Sequence, residues 1–217
     1  MQLKKMIVVV GHYGSGKTEF SLNLAFDRRK AGDQVTIVDL DVVNPYFRTS
    51  DQREKLTEAG IQVIVPVYAG TNADVPALPP EVYAAFEKEG TVIFDVGGDD
   101  DGATVLGRFY ENFKGKDFEV LAVVNPKRPF QESPTEIIEG LRAIEAASRL
   151  GITDIIANPN LSYETNGDVV LQGLPIIRSA ADAMGLSIKC VCTTPKVDID
   201  SEYELFIIDN YVYQPNY

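Results

Sequence analysis

Eight consecutive residues, Gly11-His12-Tyr13-Gly14-Ser15-Gly16-Lys17-Thr18, have the types and spacing to hold a phosphate chain. They fit G-x-x-x-x-G-K-[ST], with Gly11, Gly16, Lys17 and Thr18 in the fixed places. Glycines let the backbone curl until its N–H groups face an anion, and a helix opening at the loop's end adds the positive end of its dipole. Lys17 would reach the β- and γ-phosphates, and Thr18 would set its hydroxyl on Mg²⁺. His12, Tyr13, Gly14, Ser15 and Glu19 fill or flank the loop and are candidate nucleotide contacts. A glycine turn joining a strand to a helix is the plain alternative. Against it stand the apolar run Met6–Val10, which leads in as a buried strand should, and Glu19–Phe26, which leads out at helical spacing.

Two groups of carboxylates could serve such a loop. Asp95 ends the apolar strand Thr91–Asp95 and suits a Walker B position, holding Mg²⁺ directly or through water. Asp39 and Asp41 alternate at the end of a strand, so both would point one way. One would orient or activate the attacking water and the other support the metal; a capped strand end is the simpler reading. Gly97 and Gly98 would form a switch that senses the γ-phosphate, or only a turn. Asp99, Asp100 and Asp101 would assist a metal or water, or cap a solvated helix. Arg48 is a phosphate contact, a subunit contact or a surface arginine.

The elements that must position these residues alternate. Strands are expected at Lys5–Val10, Gln34–Asp39, Ile61–Val65, Thr91–Asp95, Phe118–Asn125, Thr153–Ala157 and Ser187–Cys192. Helices are expected at Gly16–Ala31, Asp51–Ala59, Pro80–Lys88, Ala103–Phe113, Pro134–Leu150 and Val169–Met184. Tyr68–Pro80 reads as a loop, and Glu204–Ile208 as either a strand or a helix. The pattern predicts an α/β fold, a mostly parallel sheet with helices on both faces and ligands at the strands' carboxyl ends. With 217 residues and no linker composition, one domain spanning residues 1–217 is expected.

Composition narrows the function. No apolar run approaches the ~20 residues that span a bilayer, and Met6–Val10 is shorter than a signal-peptide core of ~7–15 residues. A cytoplasmic protein without membrane attachment is expected. The net charge of −12 argues against nucleic acid as a partner. Cys190 and Cys192 share one face of a strand, as buried thiols or, more remotely, a metal site shared across a dimer.

GHYGSGKTEFSLNLA, VTIVDLDVVNPYF and VIFDVGG together resemble the MinD/ParA-type ATPases of the SIMIBI class of P-loop proteins. The resemblance follows the order of elements from Met6 to Pro195 and is specific in those three segments. It implies the P-loop NTPase fold, ATP and Mg²⁺ binding, slow hydrolysis to ADP, an ATP-dependent homodimer and a switch governed by a protein partner. Lys17 and Thr18 match the phosphate lysine and the metal ligand. Asp41, or Asp39, matches the residue that positions water, and Asp95 the Walker B carboxylate. Asn158 matches the asparagine that reads adenine, and Pro195, within Thr194–Asp198, falls where backbone packs on the base. His12 stands where the family carries a signature lysine that reaches across the dimer; it is either a protonatable substitute or an exposed loop histidine. The tail has no basic amphipathic helix of the membrane-binding members.

Neither Asn125-Pro126-Lys127 nor Lys196-Val197-Asp198 completes the N-K-x-D pattern of guanine readers, so ATP is the expected nucleotide. Three functions remain: a switch or loading-factor ATPase, a small-molecule kinase or ligase of the dethiobiotin-synthetase-like type with Tyr68–Pro80 and Tyr163–Asp168 lining an acceptor pocket, and a nucleotide sensor that does not hydrolyse.

Overall fold

Runs such as Met6–Val10, Val35–Leu40 and Thr91–Val96 are buried at every position, as strands covered on both faces must be. In a computed structural model, which describes residues 1–41, 53–65, 80–98 and 100–212, they are β1, β2 and β4 of one sheet. Arg48, the loop from Tyr68 to Pro79, Asp99 and the side chains of Asp100 and Asp101 lie outside the described residues, as does the end of the tail.

The chain runs β1, α1 (Lys17–Lys30), β2, α2 (Arg53–Glu58), β3 (Gln62–Ile64), α3 (Pro80–Ala85), β4, α4 (Asp100–Gly107) and α5 (Tyr110–Phe113). It continues through β5 (Phe118–Val124), α6 (Pro134–Ser148), β6 (Asp154–Ala157), α7 (Gly167–Met184), β7 (Ser187–Thr193) and β8 (Leu205–Ile207). The strands stand in the order β3-β2-β4-β1-β5-β6-β7-β8, and every pairing is parallel. From β1 the chain first builds outward to β3 and then returns past β1 to build the other half. That reversal beside β1 places its carboxyl end at the point where α/β sheets bind ligands.

Alternation divides the core. Val8, Val10, Val38 and Phe94 face α3 to α7, whereas Ile7, Val9, Ile37, Ile93, Leu121 and Val123 face α1 and α2. The α1 face also takes Ile208, Phe206, Tyr211 and Val212, so the tail completes a layer that two helices leave short. Both cysteines are buried there, and burial pushes the Cys192 thiol well up.

Two expectations change. The helix expected over Ala103–Phe113 is two, α4 and α5. Gly107 lies so close to α6 that a Cβ would stand 2.5 Å from the Ala147 carbonyl oxygen, and the Arg149 guanidinium donates to the Gly107 carbonyl. That carbonyl is drawn out of the helical ladder, and the chain turns before Tyr110, whose ring lies 4.8 Å from the Arg149 guanidinium. The tail segment left open between strand and helix is the strand β8, paired with β7 through Val191–Leu205, Cys192–Phe206 and Thr193–Ile207.

Phe113, at 1% exposure, meets Phe86 edge-on at 4.8 Å, Phe94 at 5.4 Å and Phe118 at 4.9 Å. Phe113→Ala is therefore expected to cost about 3–5 kcal/mol in urea unfolding. Tyr163→Ala, at a position 87% exposed, should stay within about 0.5 kcal/mol of the parent chain.

Candidate functional site

The loop from Gly11 to Gly16 begins where β1 leaves the sheet and ends on α1. Its shape needs glycine at Gly16, which caps α1 with φ +93° and would bring a Cβ within 2.4 Å of Asn158 Nδ2. Gly98 approaches the loop equally closely from β4: a Cβ there would lie 2.5 Å from Lys17 Nζ and 2.8 Å from the Tyr13 Cα. The Lys17 ammonium is buried at the floor of the loop and donates to the His12 carbonyl oxygen at 3.1 Å.

Behind it lies Asp95, buried at the carboxyl end of β4 in register with Val9 of β1 and Asp39 of β2. Its Oδ1 accepts from the Ser21 hydroxyl at 2.9 Å, and the Thr18 hydroxyl also bonds to it. Burial pushes the Asp95 carboxyl up to about 6, outweighing the opposing pull of Thr18, Lys17 and Ser21. Ser21, one turn into α1, is a site residue that the motifs do not point to. Its signal in the sequence is a hydroxyl on a stretch of helix otherwise facing the core.

Asp41 and Asp39 separate. Asp41 is half-buried on the cleft wall, its carboxylate 3.2 Å from where a Gly97 Cβ would stand. Asp39 lies behind that wall at 1% exposure, with its Oδ1 accepting the Asp41 N–H at 3.0 Å. The two do not share one direction because β2 ends at Leu40, so strand alternation does not reach Asp41. Asp39 supports the turn that presents Asp41.

From the other side Asn158 donates through Nδ2 to the Ser15 carbonyl oxygen at 2.7 Å, tying the loop after β6 to the phosphate loop. Its Oδ1 and the Ser15 hydroxyl are buried with no hydrogen-bond partner among the described residues. Asn125 organises the next loop: it bonds Asn160 and Lys127, and Gln131 bonds its N–H. That loop carries Arg128 to within 3.7 Å of where a Gly14 Cβ would stand, and sets Phe130 against the His12 ring at 5.9 Å. His12 is thus half-buried against an aromatic ring, and its Nδ1 lies 3.2 Å from the Tyr13 carbonyl oxygen.

Together these residues enclose a cleft of about 430 Å³, lined at one end by Gly14, Gly16, Lys17, Thr18, Asp41 and Gly98. Asn125, Asn158, Asn160, Tyr163 and the tail residues Ile208, Asn210 and Val212 line the other. Pro195 is exposed on the turn after β7 and is not among the residues that line the cleft, which include the tail residues Ile208, Asn210 and Val212. Glu19 reaches the wall, but its carboxylate accepts the N–H groups of Tyr211 and Val212, and burial raises its pKa. A broader depression of about 610 Å³ at the opposite end of the sheet has charges already engaged, Lys116 with Glu87 at 2.8 Å and Asp117 with Lys4 at 2.7 Å.

The glycine cradle with the Lys17 ammonium and the open Ser15 hydroxyl fits an anion, and the hydroxyl of Thr18 beside the carboxylates of Asp95 and Asp41 fits a hard divalent cation such as Mg²⁺. Among the described residues no cluster of three or more His, Cys, Asp or Glu side chains could hold a metal alone.

A parallel sheet in this order, helices on both faces and the Gly11–Thr18 loop leaving its central strand define the P-loop NTPase fold. Solved structures share it. Cell division protein FtsY from Thermotoga maritima is 22% identical with a TM-score of 0.57, over 88% of this chain and 62% of that one. FtsY from Mycoplasma mycoides is 18% identical with a TM-score of 0.59, over 90% and 64%. Signal recognition particle 54 kDa protein from Aeropyrum pernix, in complex with GDP, is 18% identical with a TM-score of 0.57, over 88% and 41%. The chain therefore spans less than two-thirds of each of these structures. The neighbours share the expected P-loop fold and do not single out the MinD/ParA group. No protein-family profile and no curated protein matches the sequence.

The raised Asp95 pKa makes a stability prediction. The folded protein holds this proton up to about pH 6, whereas the unfolded chain releases it near 3.8. The Asp95 contribution to stability therefore falls as pH rises between those values, by roughly 3 kcal/mol in all. Asp95→Asn should be more stable than the parent without nucleotide at pH 7.5, and the gap in Tm should close as pH falls to 4. A gap independent of pH would show that Asp95 is not desolvated.

Proposed function

We propose that this protein binds a nucleoside triphosphate with Mg²⁺ and hydrolyses it slowly, as a switch read by a protein partner. The cradle of Gly11–Thr18, closed by Lys17 below and Gly98 above, is the observation that carries this reading. Lys17 leaves the His12 carbonyl to pair with the β- and γ-phosphates. Thr18 and Asp95, with Asp41 beside them, hold the cation, which when bound withdraws charge from the phosphate oxygens. Asp41 orients the water that attacks the γ-phosphorus. One P–O bond forms to that water as the bond to the β-phosphate oxygen breaks, giving the diphosphate and inorganic phosphate. Gly97 and Gly98 link Asp95 to the loop above the γ-phosphate position, so hydrolysis would alter the surface around Tyr13 and Gly98.

Adenine fits the far end best. The loop after β6 reads Asn158-Pro159-Asn160-Leu161, with no carboxylate to accept the N1 and N2 protons of guanine. Asn158 Oδ1, a buried acceptor with no partner, suits an exocyclic amine. A guanine nucleotide is the second reading, because FtsY from Elizabethkingia anophelis and the Aeropyrum pernix protein were solved with GDP. None of the helices among the described residues is long and apolar enough to cross a membrane. An ATP-dependent homodimer through the cleft face belongs to the same proposal, with His12 in place of a lysine.

Thermal shifts with ATP, ADP and GTP, with and without Mg²⁺, test the reading. A nucleotide at ~100 times its Kd adds about 2.7 kcal/mol, or about 5–10 °C for a domain of this size. ATP should give the larger shift; a larger shift with GTP would transfer the proposal to guanine, and no shift with any nucleotide would overturn it. Lys17→Ala should lose the shift. Asp41→Ala should keep it and lose phosphate release by 100-fold or more, on the order of a general-base effect; undiminished hydrolysis would remove Asp41 from its role.

A further inference from the structure

The tail after β8 is fastened to the helix that follows the phosphate loop. Asn23 bonds Asp209 twice, donating to its carbonyl oxygen and accepting its N–H, each at 2.8 Å. One turn earlier the Glu19 carboxylate accepts the N–H groups of Tyr211 and Val212, the latter at 3.0 Å. One turn later the Phe26 ring stacks on Tyr211 with centroids 4.6 Å apart. Residues i, i+4 and i+7 of one helix face therefore grip three of the four tail residues from Asp209 to Val212. Ile208, Asn210 and Val212 of this segment line the cleft together with Asn158 and Asn160.

This arrangement has two chemical consequences. Tail amides that a surface strand would leave to water are spent on Glu19 and Asn23, which fixes the segment's position along α1. The wall so fixed offers what a flat heterocycle requires, apolar side chains (Ile208, Val212) flanking one amide (Asn210) that can both donate and accept. The phosphate loop itself is shaped by Gly16, Gly98 and Asn158.

We propose that residues 208–212 form the base-side wall of the nucleotide cleft, with Asn210 as a base-contacting residue and the Glu19–Asn23–Phe26 face of α1 as its positioning device. The proposal rests on nucleotide binding at the Gly11–Thr18 loop. It adds that affinity for the base, and discrimination between bases, come from a segment distant in sequence from every nucleotide motif.

Titration calorimetry of the full chain with ATP, GTP and inorganic tripolyphosphate tests it. Asn210→Ala, an exposed position with little risk to folding, should weaken the preferred nucleotide about three- to tenfold, the loss of one hydrogen bond, and leave tripolyphosphate unchanged. Tyr211→Ala, which removes the stack on Phe26, should do the same. Hydrogen exchange should slow at the Tyr211 and Val212 amides with nucleotide and not with tripolyphosphate. Equal nucleotide affinity in both variants and parent, or an equal loss for tripolyphosphate, overturns the wall while leaving nucleotide binding in place. A parent chain that binds neither ligand overturns the nucleotide reading itself.

Discussion

A carboxylate stripped of water governs the centre of this molecule. Asp95 sits at the end of a strand paired on both edges, beside Asp39 and under α1, where its charge is costly enough to push its pKa to about 6. Everything close to it is arranged around that cost. Thr18 and Ser21 turn hydroxyls toward it from successive turns of α1, and Lys17 stands near enough to favour its ionised form. These groups offset the burial only in part. A cation bound between Thr18 and Asp95 would complete the compensation, so the same desolvation that weakens the empty site strengthens the occupied one.

That geometry depends on α1 holding its place over β1 and β4, and α1 is poorly equipped to do so by hydrophobic packing alone. Its buried residues include Lys17, Ser21 and Asn23 as well as Phe20, Leu22, Leu24 and Ala25. The tail supplies the missing cover. Phe206 meets Phe20 edge-on at 5.3 Å, Tyr211 stacks on Phe26, and Glu19 and Asn23 take the tail's backbone groups. Among the described residues α3 to α7 cover one face of the sheet, and α1, α2 and the tail after β8 cover the other, where ring contacts are joined by hydrogen bonds to the tail backbone.

The sequence displayed the parts whose cause is local. A parallel strand buried on both faces reads as an apolar run, the glycine pattern of the phosphate loop is dictated by backbone curvature, and α6 opens with Ser133, Pro134 and Glu136, a capping box whose members are neighbours in the chain. What it concealed was set by contacts distant in sequence. The break after Gly107 comes from Arg149 and Ala147, and the tail residues Ile208, Asn210 and Val212 reach the cleft wall from far along the chain. Ser21 and Asn23 were visible as polar residues on a helix that should bury its face. Their partners, Asp95 and Asp209, lie 74 and 186 positions away, beyond any periodicity.

His12 shows how one substitution is absorbed by its surroundings. A lysine at this position would carry a hydrated ammonium outward on a flexible stem; the imidazole instead lies against Phe130, whose backbone is held at φ +63°. The loop that presents Phe130 is braced at Asn125 and Gln131, and it also brings Arg128 alongside Gly14. A cation is therefore present near the phosphate loop, supplied by the loop after the neighbouring strand β5.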